Sequence, residues 1–286
     1  AYFHAKSIEE IVTRRQLPTS GGTAVANGNI APVVNAGAAF TIPLSTPFKL
    51  TGSATDANGD AMTYCWEQYN LGSTVAATNT ASGVLFRSYN PTTVPYRTFP
   101  KLTTVLANSS DIWEVLPTVA RTMNFRMTVR DNRAGGGENN FGAKTITVSG
   151  AAFSVTSPNT AVSWPAGSTQ TVTWNKGGTT SANVNILLST ASGTNFDTGA
   201  GVITVLANTP NDGSETITVP AVAATTCRIK IEPTDNIYFD VSNVNFTITA
   251  SQTVTGNVTL QNIVPSPNGQ VVALQIFAVG GSSALR

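Results

Sequence analysis

The chain is poor in charge and in histidine. Charged residues make up 11% of its 286 residues, and the formal net charge is +1. This balance excludes the broad basic surface that binds nucleic acid and the acidic tail that recruits basic partners. The single histidine, His4, excludes a zinc site with two histidine ligands. A Ser-His-Asp triad would have to use that same residue, so we assign no catalytic residue and expect His4 to position its neighbours.

Long apolar runs and nucleotide-binding motifs are also missing. No run of ~18 apolar residues is present, so we predict no membrane-spanning helix. Neither a P-loop nor a dinucleotide fingerprint occurs, and the glycines at 135–137 are explained by a turn between strands. No signal peptide opens the chain, and both ends are abrupt. We therefore expect a segment of a longer secreted precursor.

Two cysteines are too few for a disulfide framework. Cys65 shares a strand face with Glu67, opposite Trp66, whereas Cys227 is in phase with the apolar residues that follow it. Phase and separation favour two free thiols, one partly exposed and one buried, over a bridge.

Abundant Thr, Ser, Asn, Val and Gly favour extended structure. The strongest strand signal lies in residues 61–69, where Met62, Tyr64 and Trp66 alternate with polar residues. Residues 122–131 alternate in the same way, and further short strands recur every ~8–12 residues between Gly, Asn and Asp turns. They include single strands expected at 32–42 and at 237–241. A central Trp on such a strand is typical of a two-sheet sandwich, and Trp174 is its counterpart in the second half, where we expect it to be the single core tryptophan. The pattern predicts an all-β chain of tandem Ig-like or fibronectin-like β-sandwiches.

The predicted organisation has five parts. Residues 1–18 are the remnant C-terminal helix of a preceding domain, because Ser7 and Glu10 form a capping box and Pro18 stops the helix. The helix is predicted at residues 7–17, with Ile8, Ile11 and Val12 as a short apolar stripe. Eleven residues are marginal for an independent helix, so it should pack on another part of the protein. The other parts are a linker at 19–31, a first sandwich at 32–150 with a long insertion at 70–120, a second sandwich at 151–250, and a β-hairpin or truncated third domain at 251–286.

The acidic turn before Trp66 is the best candidate for a site. Asp56, Asn58 and Asp60 alternate their side chains into one loop, and Asp131 ends a strand that can neighbour it. Calcium takes six to eight oxygen ligands from carboxylates, amides, carbonyls and water, so these four residues are a candidate calcium site. The alternative is a tight turn held by side-chain-to-backbone hydrogen bonds, with Gly59 in a left-handed conformation.

The insertion is rich in aromatic residues. Tyr89, Tyr96 and Trp113 suggest a flat sugar- or peptide-binding platform. The competing interpretation, which we favour, is that the aromatics of the insertion pack as its internal core, since a long irregular segment needs one to stay ordered.

Several long motifs resemble a known family. The first ten-residue motif, YFHAKSIEEI, is similar to the final helix of the reprolysin-like zinc metallopeptidase domain of large secreted bacterial proteins. Segments over roughly residues 2–250 look like the β-sandwich domains that follow that peptidase; they are DANGDAMTYCWEQYNLG, FRSYNPTTVPYRTFPKL, LPTVARTMNFRMTVRDNRAGGG, FSVTSPNTAVSWPAGSTQTVTWN and NIYFDVSNVNFTI. The resemblance implies that residues 1–18 are a peptidase remnant and that further repeats or a C-terminal sorting domain for type IX secretion lie downstream.

The family's catalytic signature, HExxHxxGxxH, is absent from this chain. The resemblance therefore implies zinc only in a missing peptidase domain, and no enzymatic activity for these residues. We expect a secreted or cell-surface module for adhesion, docking or spacing, whose partners are an extracellular protein, a polysaccharide surface, copies of itself or an associated peptidase chain. Two alternatives stay open: a processed part of an active secreted zinc metallopeptidase, and a subunit of a surface fibre assembled through strand pairing.

Overall fold

The computed structural model describes residues 4–15, 17, 26–70, 81–178 and 180–251. They belong to one unit, Ala1–Ser251. The predicted hairpin or third domain at 251–286 lies outside the described residues except for its first position. Most of the predicted linker, residues 19–25, and part of the insertion, residues 71–80, lie outside them too.

Strands dominate the described chain. Before residue 151 the elements are α1 (Ala5–Arg15), β1 (Val33–Asn35), β2 (Phe40–Ile42), β3 (Phe48–Thr51), β4 (Ser53–Thr55), β5 (Thr63–Gln68), β6 (Tyr96–Phe99), α2 (Leu102–Leu106), β7 (Arg121–Arg130) and β8 (Asn139–Val148). After it they are β9 (Phe153–Ser157), β10 (Ser163–Pro165), β11 (Thr169–Lys176), β12 (Asn183–Ser189), β13 (Ile203–Pro210), β14 (Ser214–Thr218), β15 (Ala224–Pro233), β16 (Asp240–Val241) and β17 (Phe246–Thr249). The chain is thus all-β, with tandem sandwiches and one short N-terminal helix, as predicted.

The first sandwich has a four-stranded sheet, in the order β2-β8-β7-β5, facing two short ribbons, β1-β4 and β3-β6. The alternation of β7 places Met123, Phe125, Met127 and Val129 in the core, where each is at most 1% exposed. Phe48 of β3 and Phe99 of β6 meet Phe125 across the layers, with ring centroids 5.8 and 5.0 Å away. This aromatic contact closes the sandwich.

The second sandwich pairs a six-stranded sheet, β10-β17-β15-β12-β13 with β16 on β15, with a three-stranded sheet, β14-β11-β9. Val172 and Trp174 of β11 point into the core, as predicted. The expectation of a single core tryptophan here was wrong. Trp164 of β10 is also buried, and its ring centroid lies 4.8 Å from that of Phe246 on the paired strand β17.

Several predicted element boundaries were wrong. The single strand expected at 32–42 is two strands in different sheets, because β1 pairs with β4 and β2 pairs in parallel with β8. The chain changes layer at Gly37, whose φ of +75° suits glycine. The strand expected at 237–241 is reduced to β16, and the helix begins before Ser7, so the predicted capping box does not form its start.

Helix α1 packs on the outer face of the first sandwich. Glu67 of β5, which is fully buried, accepts a hydrogen bond of 2.9 Å from the main-chain nitrogen of Ala5. One turn later, Glu9 accepts the Tyr69 hydroxyl and lies 3.5 Å from Arg126 of β7. The hydrogen bond from Tyr69, and to a lesser extent that from Lys6, lowers the pKa of Glu9 to about 2. The helix is therefore attached by polar contacts, whereas Ile11 and Val12 of its predicted apolar stripe are 43% and 37% exposed.

The two cysteines are free, as predicted, but the expectation that Cys65 is partly exposed was wrong. Cys65 and Cys227 are both buried. The insertion covers the outer face of β5, and the Cys65 thiol donates a hydrogen bond of 3.3 Å to the Tyr89 carbonyl. Burial, followed by the nearby Glu67 carboxylate, raises the pKa of Cys65 to about 12.

The two sandwiches share an extensive interface. Main-chain hydrogen bonds join Pro47 and β3 to residues 237–239. Lys49 N donates to Ile237 O (2.9 Å), and Phe239 N donates to Pro47 O (3.0 Å). Helix α2, in the insertion of the first sandwich, contributes Leu102 to a small buried cluster with Phe196, Phe239 and Val241 of the second. The larger hydrophobic cluster also runs without interruption through both sandwiches.

Candidate functional site

Three segments meet at one end of the first sandwich: residues 27–30, the turn at 56–60 and the loop at 131–138. Asn29 donates from its amide to Asp131 (2.6 Å) and to the Gly136 carbonyl (3.0 Å). The Asn58 side-chain oxygen accepts from the main-chain nitrogen of Ile30 (2.8 Å). These bonds tie the end of the predicted linker to the acidic turn.

The structure brings together the three carboxylates among the four predicted metal ligands. Asp56, Asp60 and Asp131 each offer a carboxylate oxygen, and these oxygens lie within 4.8 Å of one another. We call this group the carboxylate cluster. Asn58 takes a different role, since its oxygen accepts from Ile30 and its amide donates to the Gly28 carbonyl (3.3 Å).

Turn geometry accounts for one oxygen of Asp56. Its Oδ1 accepts from the main-chain nitrogens of Asn58 (2.9 Å) and Asp60 (3.0 Å), and Gly59 is left-handed at φ +76°. Its Oδ2, and the Oδ2 of Asp60, are shielded from solvent and accept no hydrogen bond within the described part of the chain. Capping a turn does not require these oxygens to be buried, and buried polar atoms normally find a partner. Asp60 Oδ2 has the Arg133 guanidinium within ion-pair range.

Asp131 is the fixed member of the carboxylate cluster. It is 1% exposed, and its carboxylate accepts from the main-chain nitrogen of Glu138 at 2.9 and 3.0 Å and from that of Arg133 at 3.3 Å. The Arg133 guanidinium lies 3.6 Å from Asp60 Oδ2. The Arg133 guanidinium thus lies beside a group of three carboxylates. The donor set is all oxygen and carries excess negative charge, which fits a hard divalent cation such as calcium.

A second concave feature lies between β5 and the insertion. It is a cleft of about 320 Å³ whose lining includes Tyr64 of β5, Tyr89 and Tyr96 of the insertion, and Asp197 of the second sandwich. We call it the aromatic cleft. The three tyrosines are partly exposed, so ring surface is available to a ligand.

The three aromatics suggested as one platform do not form one. Trp113 is 53% exposed and does not line the aromatic cleft. Arg87 separates it from Tyr89, with its guanidinium 6.0 Å from the Trp113 ring and 5.3 Å from the Tyr89 ring. Other aromatics of the insertion pack inward as we favoured: Phe86 is 1% exposed and Phe99 is fully buried.

His4 lies at the start of α1. Its Nδ1 accepts from the main-chain nitrogen of Lys6 (3.2 Å), and its Nε2 lies 3.8 Å from Glu67. Both contacts lie at the N-terminus of α1, so His4 belongs to the helix that packs on the first sandwich.

Sequence reasoning missed Asn29, Tyr64 as a cleft residue, and Asp197. The Asn27-Gly28-Asn29 run is a local turn signal, which explains why it was assigned to a linker. Tyr64 was assigned to the core face by its period, yet it is only partly buried. Nothing in the sequence around Asp197 indicates the aromatic cleft, because Asp197 belongs to the second sandwich.

A scan against models of protein families finds no match, and a search of curated proteins finds none. Among solved structures, the fibronectin(III)-like modules of Clostridium thermocellum CbhA are 10% identical, with a TM-score of 0.24, over 81% of this chain and 100% of theirs. Drosophila N-cadherin EC1-4 is 10% identical, with a TM-score of 0.26, over 79% of this chain and 50% of that one. Such TM-scores support no argument, so the fold rests on the strand pairing above. The metallopeptidase resemblance stays a prediction.

Among the described residues, no helix is long and apolar enough to cross a membrane.

Proposed function

We propose that the chain is a non-catalytic extracellular module that holds neighbouring parts of a secreted or cell-surface protein at a fixed spacing. The observation that carries this proposal is the interface between the sandwiches. Main-chain hydrogen bonds link Lys49 to Ile237 and Phe239 to Pro47, and Phe48 and Tyr238 form an antiparallel β-bridge. A tandem joined only by a linker would bend freely, since relative motion is the default for domains with small interfaces.

Side chains reinforce the same interface. The Thr46 hydroxyl accepts from the main-chain nitrogen of Phe153 (3.0 Å). The Lys49 ammonium donates to the Asp197 carbonyl (2.7 Å), and Arg228 reaches the Leu106 carbonyl at the end of α2 (3.2 Å). Because these bonds fix the rotation as well as the separation of the sandwiches, they favour a spacer of defined length and direction.

Electron paramagnetic distance measurements test the spacer. Both native cysteines are buried, so spin labels will react with Cys residues introduced at Thr147→Cys in β8 and Thr218→Cys in β14. We expect a single narrow distance distribution between the sandwiches. The pair Thr147→Cys and Ser53→Cys, within the first sandwich, gives the width of a rigid pair. An inter-sandwich distribution several times wider than that control would contradict the proposal.

The parent that we propose is a reprolysin-like zinc metallopeptidase precursor, in which this module docks or spaces the enzyme. The sequence motifs quoted above support it. The full-length open reading frame tests it. An HExxHxxGxxH motif encoded before Ala1 is the expected result, and a reading frame without that motif would overturn this assignment while leaving the spacer intact.

We further propose that calcium braces the first sandwich at the carboxylate cluster. The shielded Oδ2 atoms of Asp56 and Asp60, which accept no hydrogen bond within the described residues, support this ligand. Asp131 is held between them by main-chain donors, so the site needs little rearrangement. A bound cation would neutralise the excess negative charge that Arg133 alone leaves.

Thermal unfolding with calcium or with EGTA tests the brace. At calcium one hundred times its Kd, ligand binding stabilises the fold by ~2.7 kcal/mol. For a chain of this size that is a rise in Tm of roughly 5–11 °C. Asp56→Asn keeps the Oδ1 acceptor of the turn and removes the charge, so it should abolish the rise.

Asp212→Asn is the matched control. Asp212 accepts from the main-chain nitrogen of Ser214 (3.2 Å) and so caps a turn in the same manner, outside the carboxylate cluster. We expect this variant to keep the full calcium response. Equal Tm values in calcium and EGTA for the unmodified protein would refute the brace.

A further inference from the structure

The aromatic cleft has the chemistry of a saccharide site. Its volume of about 320 Å³ lies near the lower end of the ~300–1,000 Å³ typical of ligand pockets. Tyr64, Tyr89 and Tyr96 supply aromatic surface, and Asn90 and Thr103 supply an amide and a hydroxyl at its wall. Tyrosine combines a flat apolar ring with a polar hydroxyl, which suits a ligand with apolar faces and polar edges.

Three charged residues line the cleft, Arg97, Lys101 and Asp197, and each is engaged within the protein. The Lys101 ammonium lies over the Tyr89 ring. Arg97 donates to the Trp66 and Arg87 carbonyls, both at 2.6 Å, and to the buried Glu114 carboxylate at 2.8 Å. Asp197 accepts the Thr98 hydroxyl on its carboxylate. Recruiting Arg97 or Asp197 to a charged ligand would break hydrogen bonds within the protein, and recruiting Lys101 would draw its ammonium away from the Tyr89 ring, so the cleft favours an uncharged ligand.

Cations of the protein also fix the rings. The Lys101 ammonium lies 3.8 Å from the centroid of the Tyr89 ring, and Arg97 lies 4.7 Å from the same centroid. The Lys49 ammonium lies 4.0 Å from the Tyr96 centroid. Rings held in this way lose little freedom when a ligand stacks on them, which lowers the entropic cost of binding.

The backbone beside the cleft argues against an added peptide strand. Tyr64 and Thr92 exchange both main-chain hydrogen bonds, at 2.7 and 2.9 Å. A peptide that binds by strand addition needs unpaired main-chain donors and acceptors. These positions have used theirs on each other.

We propose that the aromatic cleft binds a short segment of a neutral polysaccharide. The sugar rings place their C–H faces on the ring faces of Tyr89 and Tyr96 that the cations leave uncovered, and their hydroxyls bond to the tyrosine hydroxyls and to Asn90. This goes beyond spacing, because the module then also holds its protein on a glycan surface.

Binding to defined sugars tests the proposal. The probes are cellohexaose, xylohexaose, mannohexaose and laminarihexaose, with polygalacturonate as the charged comparison, measured by isothermal titration calorimetry. We expect at least one neutral hexaose to bind and polygalacturonate not to bind. Tyr89→Ala and Tyr96→Ala should each weaken that binding at least tenfold, whereas Tyr96→Phe should retain stacking and most of the affinity.

Trp113→Ala is the control, because Trp113 is exposed and does not line the cleft. It should leave affinity unchanged. A Tm within a few degrees of the unmodified protein shows that each variant is folded, and Tyr96→Phe provides a test if the alanine variants are not. No binding of any neutral hexaose at millimolar concentration would overturn the proposal, as would equal losses in Trp113→Ala and Tyr96→Ala. Neither result bears on the spacer, which is tested by distance alone.

Discussion

Replacing Phe48 should destabilise both sandwiches together. The side chain is fully buried in the first sandwich, with its ring centroid 5.7, 5.1 and 5.8 Å from those of Phe86, Phe99 and Phe125. Its backbone also forms the bridge to Tyr238 of the second sandwich. If the interface makes one cooperative body, damage at Phe48 must appear in strands that never touch it.

The expected cost of Phe48→Ala is about 4–5 kcal/mol. Truncating a buried Phe to Ala costs ~3–5 kcal/mol, and each lost aromatic pair adds about 0.5–1.5 kcal/mol where the site does not collapse. We place Phe48 at the upper end because it has three ring partners. For a chain of this size that corresponds to a fall in Tm of roughly 8–20 °C. Phe48→Leu, with a smaller cavity, gives a milder variant if the alanine form does not fold.

Native-state hydrogen exchange with mass spectrometry measures the effect in each sandwich separately. Peptides that cover β7 report on the first sandwich, and peptides that cover β15 report on the second. Both should lose the same free energy of opening in Phe48→Ala. Val172→Ala is the reciprocal control, because Val172 is fully buried in the second sandwich, and it should also lower both sets equally. Unchanged protection of β15 in Phe48→Ala would refute the single cooperative body.

Three further outcomes follow from buried polar groups. Glu67→Ala removes the acceptor at the start of α1, so the free energy of opening measured by hydrogen exchange for residues 5–15 should fall by roughly 1–2 kcal/mol. Glu10→Ala, on the exposed side of the helix, should leave it unchanged. Burial raises the pKa of Asp240 to about 7 from 3.8, so the unfolded chain ionises first, and stability should fall as pH rises from about 4 to 7. Asp240→Asn keeps an acceptor for Val155 N, 2.7 Å away, and should flatten this part of the Tm profile; an unaltered profile would contradict the assignment. Cys65 and Cys227 should resist Ellman's reagent at pH 8 until urea unfolds the protein, and rapid reaction of either in the folded state would show that it is accessible.

Local periodicity predicted the parts of the fold whose burial is set within one strand. The alternation of β7 and the central position of Trp66 placed the right side chains in the core, because successive residues of a strand face opposite sides. The same rule failed for the outer face of β5. Cys65 and Glu67 are buried there by the insertion and by α1, which cover that face from distant parts of the chain.

The start of α1 shows why capping is hard to predict. Ser7 and Glu10 match the capping-box spacing, but the first helical nitrogen bonds to Glu67, which lies 62 residues away in sequence. A capping motif read from neighbouring residues cannot reveal an acceptor that only the tertiary fold brings to the helix end. The same limit applies to Asp197, which reaches the aromatic cleft from the second sandwich.

The carboxylate cluster was predictable in part. Asp56 and Asp60 lie in one turn, and Asp131 joins them because β5 and β7 are neighbours in one sheet, as the sandwich pattern suggested. The sequence did not reveal that Asn58 would bond to Ile30, because the segment that carries Ile30 reads as a flexible linker.

Helix α2 is synthesised well before the part of the second sandwich that it packs against. Leu102, Val105 and Leu106 leave the ribosome long before Phe239 and Val241, which complete the surface that buries them. At ~5–20 residues per second the delay is on the order of ten seconds. During that interval the apolar side chains of α2 have no partner surface, so the nascent chain exposes apolar area that the mature protein buries.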